Sequence, residues 1–289
     1  MPDQPLALTR LSTALGAQVH GLDLRTPLDA TGFQQLHRAL MDHHVLFLRG
    51  QHMNDMEHTA LGRQFGDLSI YPVVRLLGGT EPLETIEDNK ESGPKADYWH
   101  TDISWLDVPP KIGILRAEVI PEVGGDTMWA SLHAAWDALS PTMQKMVEGL
   151  TVRHRPSPDY FDKLGSALGP EKAAKVREEL KGEAFHPLVA RHPETQRKLL
   201  YFSGSFFDSV TELSDAESQH LKAFFAQHIE QPEFAVRWSW QEGDVAIWDE
   251  RCTLHRALGD HYPRRRVVRR CTVDAEAPPT ACEGTASST

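Results

Sequence analysis

The stretch Tyr98-Trp99-His100-Thr101-Asp102 sets a histidine and an aspartate two positions apart. If this segment is extended, side chains at i and i+2 point to the same face, so His100 and Asp102 can reach one ion. Two imidazoles and one carboxylate are the ligands that hold ferrous ion while leaving coordination positions open. A second histidine must therefore come from elsewhere, and His255, shortly after the predicted buried strand end Ala246-Ile247-Trp248-Asp249, is the best candidate.

The surroundings of the His-x-Asp pair strengthen what is otherwise a weak motif. Trp99 and Ile103 flank the pair with large apolar groups, which predicts a dry pocket. Several other histidines occur in loop-like sequence, and none of them has a second ligand at a useful spacing. We interpret this set as structural or exposed: His43, His44, His154, His186 and His192.

Length, composition and charge restrict the class of protein. The chain has 289 residues, of which 40% are apolar and 25% are charged, as in ordinary globular proteins. The formal net charge of -11 argues against a nucleic-acid partner, because binding a phosphate backbone needs a basic face. No apolar run approaches the length of a membrane span, and the first residues do not resemble a signal peptide. We therefore expect no membrane partner.

The cysteine pattern points to a reducing compartment. The chain has three cysteines, Cys252, Cys271 and Cys282, an odd number without C-x-x-C spacing. This pattern favours neither a disulfide framework nor a structural zinc site. A cytoplasmic location is the expectation that follows.

Periodicity and turn residues predict a mainly β chain with flanking helices. The predicted strands are short and frequent, and no glycine-rich phosphate loop is present, which favours an antiparallel double sheet over a parallel α/β sheet. Such a double sheet, or jelly roll, has a mouth at which side chains from several strands converge. The main predicted strands are 6–8, 17–24, 45–48, 112–117, 198–202, 235–240, 244–248 and 265–273. The main predicted helices are 33–42, 53–65, 132–139, 141–150, 171–181 and 215–229.

The chain organisation is that of one domain. We expect residues 1–274 to form this domain, with an inserted helical segment at about 131–183 and a disordered tail at 275–289. Residues 67–97 are punctuated by glycine and proline, so this segment is either a mobile cover over a site or an exposed connector.

A cluster of arginines follows His255. In an extended strand Arg266 and Arg270 face the same side, whereas Val267 and Arg269 face the other. Two guanidinium groups turned inward need anionic partners, so one could bind a cosubstrate carboxylate and the other a substrate anion. The same pattern also suits an exposed basic strand edge.

The order of these motifs resembles the taurine dioxygenase family of Fe(II)- and 2-oxoglutarate-dependent oxygenases, which includes alkylsulfatases and aryloxyalkanoate dioxygenases. The resemblance covers about residues 6–274. It rests on His100-x-Asp102, Gly124-Gly125-Asp126-Thr127, Trp248-Asp249, His255 and Arg266, supported by Phe65-Gly66, Pro109-Pro110 and Phe234-x-Val236-Arg237-Trp238. It implies a double-stranded β-helix (jelly-roll) fold and an assembly that is a homodimer or homotetramer.

The resemblance also implies roles for individual residues. His100, Asp102 and His255 would bind Fe(II), and Thr127 and Arg266 would hold the 2-oxoglutarate cosubstrate. Arg270 would meet the anionic group of the substrate or the inner carboxylate of the cosubstrate. O2 would then be used to hydroxylate a substrate carbon, with succinate and CO2 as coproducts.

The identity of the substrate stays open at this stage. Tyr71 and Ala96 replace a histidine and an asparagine of the taurine enzyme, which argues against taurine itself. A sulfonate, an alkyl sulfate ester or an aryloxyalkanoate fits an anionic and apolar pocket flanked by Tyr71, Trp105 and Phe206, although these aromatic residues equally suit core packing. Two alternatives remain: an oxygenase for an amino-acid-derived or carrier-bound substrate, and a non-catalytic jelly roll that binds metal.

Overall fold

The computed structural model describes residues 6–94, 96–180 and 182–282, without the side chains of residues 166 and 167. Within these ranges the strands are Ala7–Arg10 (β1), Ala17–His20 (β2), Val45–Leu48 (β3), Glu84–Asp88 (β4), Ile112–Val119 (β5), Thr127–Ser131 (β6), Thr151–His154 (β7), Ala184–Pro187 (β8), Val189–Arg191 (β9), Lys198–Leu200 (β10), Phe207–Val210 (β11), Ala235–Trp238 (β12), Val245–Asp249 (β13), Thr253–Ala257 (β14), Arg266–Val273 (β15) and Thr280–Ala281 (β16). The α-helices are Ala30–His43 (α1), Asp55–Phe65 (α2), Pro72–Leu76 (α3), Leu132–Asp137 (α4), Pro141–Val147 (α5), Pro158–Leu168 (α6), Pro170–Glu179 (α7) and Asp215–Ile229 (α8).

Two sheets pack against each other to form the centre of the fold. The larger has seven strands in the order β1-β2-β3-β13-β5-β15-β4, and the smaller has the order β12-β6-β14. Only the β2–β3 pair is parallel among the strand pairs described. Phe47 of the larger sheet stacks on Trp238 of the smaller one, with ring centroids 4.4 Å apart, and meets Trp129 edge to face. The predicted mainly β architecture with flanking helices is confirmed.

The outer face of the larger sheet is covered by helices α1 and α2. Both faces of the larger sheet are therefore buried, as strand β13 shows. Val245 and Ile247 pack under these helices, whereas Ala246 and Trp248 point into the space between the two sheets. Each helix begins within three residues of its predicted start, and a side chain caps each of them. Asn54 and Glu57 form a reciprocal capping box at the start of α2, and Asp29 caps α1.

Residues 131–180, which were expected to be part of a helical insertion, contain α4, α5, α6 and α7, and also strand β7. Ser157 caps α6 through the backbone N–H of Tyr160, with a proline at the first helical position. Gly169, with φ of 79°, ends α6 and starts α7, a backbone conformation that a residue with a Cβ rarely adopts. The two helices therefore form a hairpin beside the sheets.

Two stretches differ from expectation. Residues 275–282 do not fit the predicted disordered tail, since Thr280–Ala281 pairs with β9, where backbone hydrogen bonds compensate for weakly apolar sequence; residues 283–289 lie outside the described part. In the segment 67–97, helix α3 was not predicted, whereas β4 agrees with a strand that the sequence suggests at 83–87 and pairs with β15 along its whole length. No helix of the described ranges is long and apolar enough to cross a membrane.

Candidate active site

A backbone bridge brings His100 and His255 together from opposite ends of the sequence. The His100 N–H donates to the His255 carbonyl at 3.1 Å, and the His255 N–H donates back at 2.7 Å. The imidazole centroids lie 4.2 Å apart as a result. His255 belongs to β14, whose partner β6 fixes its register opposite Trp129.

Asp102 reaches the two histidines through a turn. The expectation of an extended His-x-Asp segment is wrong at this point, because only His100 forms a β-bridge and the chain turns from Asp102 onward. Ile103, a β-branched residue, adopts φ of 40° in this turn. Such a backbone is costly for this residue type and is found where surrounding structure holds a functional site.

The donor atoms of His100, Asp102 and His255 form a group that we call the open cluster. These atoms all lie within 4.8 Å of one another, and all three residues are buried. The Nε2 atoms of His100 and His255 are 3.7 Å and 4.0 Å from Asp102 Oδ1. His100 Nδ1 donates to the Tyr98 carbonyl at 2.8 Å, which leaves its Nε2 lone pair free. Burial lowers the pKa of both histidines, so at neutral pH both imidazoles are uncharged and each can offer a nitrogen lone pair to a metal ion.

Arg270 holds the carboxylate of the open cluster. Its Nη1 donates to both oxygens of Asp102, at 2.9 Å and 2.8 Å, and its Nη2 lies 3.3 Å from Glu84. Burial alone would raise the pKa of Asp102, but Arg270 and the two histidines lower it below its ordinary value. Glu84 is a functional candidate that sequence reasoning missed, since nothing in the β4 sequence separates it from surface acids.

Glu250 is a second residue that sequence reasoning missed. Its Oε2 accepts from Thr101 Oγ1 at 2.8 Å and from the Asp102 N–H at 3.1 Å, and its Oε1 accepts from Trp248 Nε1 at 2.7 Å. The same Oε2 is 3.9 Å from His255 Nδ1. Burial, together with the charge of Asp102, raises the pKa of Glu250. Its position directly after Trp248-Asp249 was the available signal.

Arg266 and Thr127 lie together on neighbouring elements of the two sheets. Arg266 Nη2 is 3.4 Å from Thr127 Oγ1, and its Nε donates to the Gly125 carbonyl at 2.9 Å. Trp240 Nε1 also donates to Thr127 Oγ1 at 2.9 Å. A Cβ on Gly125 would approach Arg266 Cδ to 2.9 Å, so this glycine makes room for the guanidinium. Arg266 is only 2% exposed, which excludes the exposed-edge interpretation for it.

A cavity of about 260 Å³ adjoins the open cluster. Tyr71 and Phe206 line it, as expected, and so does Ala96. Trp105 is instead buried in the core behind the cavity, with its ring 6.5 Å from that of Tyr160. The interpretation of Trp105 as a flanking substrate residue is therefore not supported, because a fully buried indole at this position packs against α6 and Gly182.

Helix α6 contributes one wall of the cavity. Tyr160, Lys163, Leu164 and Leu168 face it, and the Tyr160 hydroxyl lies 2.8 Å from that of Tyr71. Lys163 pairs with Asp97 and lies 4.5 Å from the Tyr98 ring centroid. Sequence analysis predicted helix only from 171 onward in this region, so the contribution of α6 was missed.

The chain is similar to known proteins over almost its whole length. Residues 4–272 match the family model "Taurine catabolism dioxygenase TauD, TfdA family". The chain belongs to this family. An alkylsulfatase of Acinetobacter baylyi is 38% identical over 95% of this chain and 87% of its own length. An alpha-ketoglutarate-dependent sulfate ester dioxygenase of Pseudomonas putida is 35% identical over 91% of this chain and 88% of its own length.

A solved structure extends the likeness to the whole fold. A taurine dioxygenase from Burkholderia xenovorans is 31% identical, with a TM-score of 0.81 over 97% of this chain and 94% of its own. As a member of the TauD/TfdA family, the chain is an Fe(II)- and 2-oxoglutarate-dependent dioxygenase that uses O2.

Proposed function

We propose that the open cluster binds the ferrous ion, that Arg266 and Thr127 bind 2-oxoglutarate, and that the chain oxidatively cleaves alkyl sulfate esters. The observation that carries the proposal is the position of Arg270. This buried guanidinium lies at the boundary between the open cluster and an otherwise largely apolar cavity. An anionic head group beside Arg270 would place the adjoining carbon of an alkyl chain near the metal.

The open cluster fits ferrous ion. It offers two neutral imidazole nitrogens and one carboxylate, a facial set that leaves coordination positions open. Glu250 would act on this set indirectly, because it fixes the Asp102 backbone and lies beside His255 Nδ1. Such outer partners orient ligand side chains.

Arg266 is the main residue of the proposed 2-oxoglutarate site. Its guanidinium is buried, and burial lowers its pKa from the ordinary value, which indicates a desolvated cation that gains from an anionic partner. The Thr127 hydroxyl beside it can donate to a carboxylate of the same molecule. A planar guanidinium can bind the distal carboxylate of 2-oxoglutarate through two parallel hydrogen bonds.

The substrate pocket combines cationic groups with an aliphatic wall. Arg270 and Lys163 are the cationic groups, each held by acidic neighbours. An ion on Asp102 would compete with Arg270 for its carboxylate, so metal binding would free the guanidinium for a substrate anion. The aliphatic and aromatic lining suits an alkyl chain better than the small taurine molecule: Val73, Val74, Ile86, Ile103, Leu164, Leu168 and Phe206.

The chemistry follows from this placement. A bound ferrous ion supplies O2 activation, with one oxygen atom going to succinate and the other to the substrate carbon. Arg270 holds the sulfate group so that the carbon bearing the ester oxygen faces the open cluster. Hydroxylation at that carbon gives a product that collapses to an aldehyde and inorganic sulfate. The buried walls around Ile103 and Phe206 exclude water from the reacting carbon.

A succinate-release screen tests the proposed function. Purified protein with Fe(II), 2-oxoglutarate and O2 is given alkyl sulfates of increasing chain length, alkanesulfonates, taurine and aryloxyalkanoates. We expect the highest kcat/KM with a medium-chain alkyl sulfate, together with stoichiometric sulfate and aldehyde. Preferred turnover of an aryloxyalkanoate would reassign the substrate, and metal binding without any substrate-stimulated succinate would indicate a non-catalytic binding protein.

Two variants of β15 provide the matched pair for this screen. Arg270→Ala should raise the KM for alkyl sulfate far more than the KM for 2-oxoglutarate. Arg269→Ala, on the opposite face of the same strand, should leave both unchanged because Arg269 pairs with Asp55 and Thr85. Equal effects of Arg270→Ala on both constants would refute its substrate role.

We also infer the finer architecture and setting from the family resemblance. The two facing sheets would form the double-stranded β-helix, with residues 1–274 as one domain. The chain would act in the cytoplasm, a setting that three unpaired cysteines support, as a homodimer or homotetramer. Sedimentation velocity of the purified protein measures the assembly directly.

A further inference from the structure

A second group of ligand-type side chains is buried outside the proposed iron site. His44, His133 and Cys252, which we call the closed cluster, each offer one donor atom within 4.8 Å of the others. All three are at most 2% exposed. They come from three separate places in the chain: the end of α1, helix α4 and the turn between β13 and β14. Their proximity therefore could not be inferred from cysteine or histidine spacing.

His133 is the residue that points to a ligand. Its Nδ1 donates to the Lys198 carbonyl at 2.7 Å, so its Nε2 carries the free lone pair. This Nε2 is buried and has no hydrogen-bond partner among the described residues. A buried acceptor without a partner is costly. One ring nitrogen bonded to a carbonyl and the other left free is the arrangement by which metal-binding histidines are oriented.

The second imidazole, that of His44, lies beside the Cys252 thiol. His44 Nδ1 lies 3.6 Å from Cys252 Sγ. In tetrahedral zinc sites, bonds of about 2.0 Å to nitrogen and 2.3 Å to sulfur separate such donor atoms by roughly 3.5 Å. The Arg197 guanidinium lies 3.5 Å from His44 Nε2 and favours a proton on Nδ1. Arg197 is half exposed and also bonded to Asp137, so it can move aside. The His44 proton can then lie on Nε2, which leaves Nδ1 free to bind a metal ion.

The electrostatic setting also suits a cation. Burial lowers the pKa of His44 to about 4 and that of His133 to about 3, so both rings are neutral lone-pair donors at neutral pH. Asp249 is buried beside the cluster and contributes negative charge, although its oxygens are already bonded to Arg251 and His192. Burial raises the pKa of the Cys252 thiol, so a metal ion must displace its proton on binding.

We propose that His44, His133 and Cys252 form a second metal site, for a thiophilic divalent cation of the zinc type, with a structural role. Two imidazoles and one thiolate are the ligands that zinc prefers over iron or magnesium. The ion would tie α1, α4 and the β13–β14 turn together. It would bind in the folded core, away from the cavity that receives substrate.

Cobalt(II) provides the test, because only a site with a thiolate gives a sulfur-to-cobalt charge-transfer band. Untagged, metal-free protein is titrated with cobalt(II), and the open cluster, which has no sulfur, adds no such band. We expect two equivalents to bind, one of them with the band. In Asp102→Ala protein, one equivalent should remain and should keep the band, whatever the fate of the proposed oxygenase activity.

Two cysteine variants of the Asp102→Ala protein separate the proposal from adventitious binding. Cys252→Ser should lose the band and the remaining equivalent, whereas Cys271→Ser, an equally buried thiol on β15, should keep both. Zinc should raise the Tm of the Cys271→Ser protein and leave that of the Cys252→Ser protein unchanged. A single cobalt equivalent without the band in wild-type protein, or a band that survives Cys252→Ser, would overturn the proposal.

Discussion

The open cluster and the closed cluster flank the same strand pair, β13 and β14, yet they lie in different surroundings. His255 on β14 belongs to the first, and Cys252, three residues earlier, belongs to the second. The first adjoins a cavity and is held by a charged residue, Arg270, whereas the second is sealed in the core. If both proposals hold, similar donor atoms serve catalysis in the open cluster and stability in the closed cluster, and the difference lies in access to the cavity and in the neighbouring charge.

The largest expected effect is the loss of turnover when the open cluster is broken. His255→Ala should lower succinate formation by more than about 100-fold, because a ligand should matter more than its outer partners, which are worth about 10- to 100-fold. His220→Ala, an exposed histidine on α8, is the control and should not change the rate. Full activity of His255→Ala would require a different third ligand.

A smaller effect is expected at the cosubstrate site. Arg266→Lys should raise the KM for 2-oxoglutarate by about 10- to 100-fold, because lysine replaces a planar pair of charged hydrogen bonds with a single point charge. Arg269→Lys on the opposite face of β15 is the matched control. Steady-state kinetics with varied 2-oxoglutarate give the answer, and equal KM values in the two variants would exclude the proposed clamp.

Glu250 should have a weaker and indirect effect on the open cluster. Glu250→Gln keeps the size of the side chain but replaces one of its two hydrogen-bond acceptor oxygens with an amide donor, and we expect iron affinity to fall by about 10-fold. Glu242→Gln, in the exposed turn before β13, serves as the control. Competition with a metal chelator measures both affinities. An unchanged affinity would assign Glu250 to folding alone.

The smallest expected effect concerns a buried histidine outside both clusters. Burial lowers the pKa of His58 to about 3, whereas the unfolded chain titrates near its ordinary value of 6.5. The unfolded state therefore binds more protons below that pH, and the free energy of unfolding falls as pH drops from about 6.5 toward 3. His58→Gln should reduce this slope by up to about 1.4 kcal/mol per pH unit. Urea unfolding between pH 7 and pH 5, with a chelator present, checks it.

The sequence predicted the parts of the molecule whose structure is set by contacts between residues that are close together in the chain. The apolar run at 244–248 predicted β13, and the Ser214-x-x-Glu217 pattern predicted the start of α8. The proposed ligands His100, Asp102 and His255 and the proposed role of Arg266 came from motif order and the family resemblance, and the structure brings the first three side chains together. The extended conformation expected for His100 to Asp102 was wrong, because the Glu250 carboxylate and the turn at Ile103 impose a different backbone.

The parts that could not be predicted depend on contacts between distant residues. Glu84, Lys163 and Glu250 are ordinary charged residues in sequence and become notable only when the fold buries them or lines a cavity with them. The closed cluster is the extreme case. Cysteine spacing argued against a structural zinc site, and the members of the proposed site are brought together only by tertiary packing between the sheet and the helices.

The central claim is that the open cluster holds ferrous ion beside a guanidinium that binds 2-oxoglutarate. Anaerobic addition of Fe(II) and 2-oxoglutarate to the protein tests it most directly, through the weak visible charge-transfer band of the chelated cosubstrate. We predict a band that saturates at one equivalent of each in the wild-type protein and is absent in His255→Ala. A wild-type protein without the band, or a His255→Ala protein with the full band, would contradict the account.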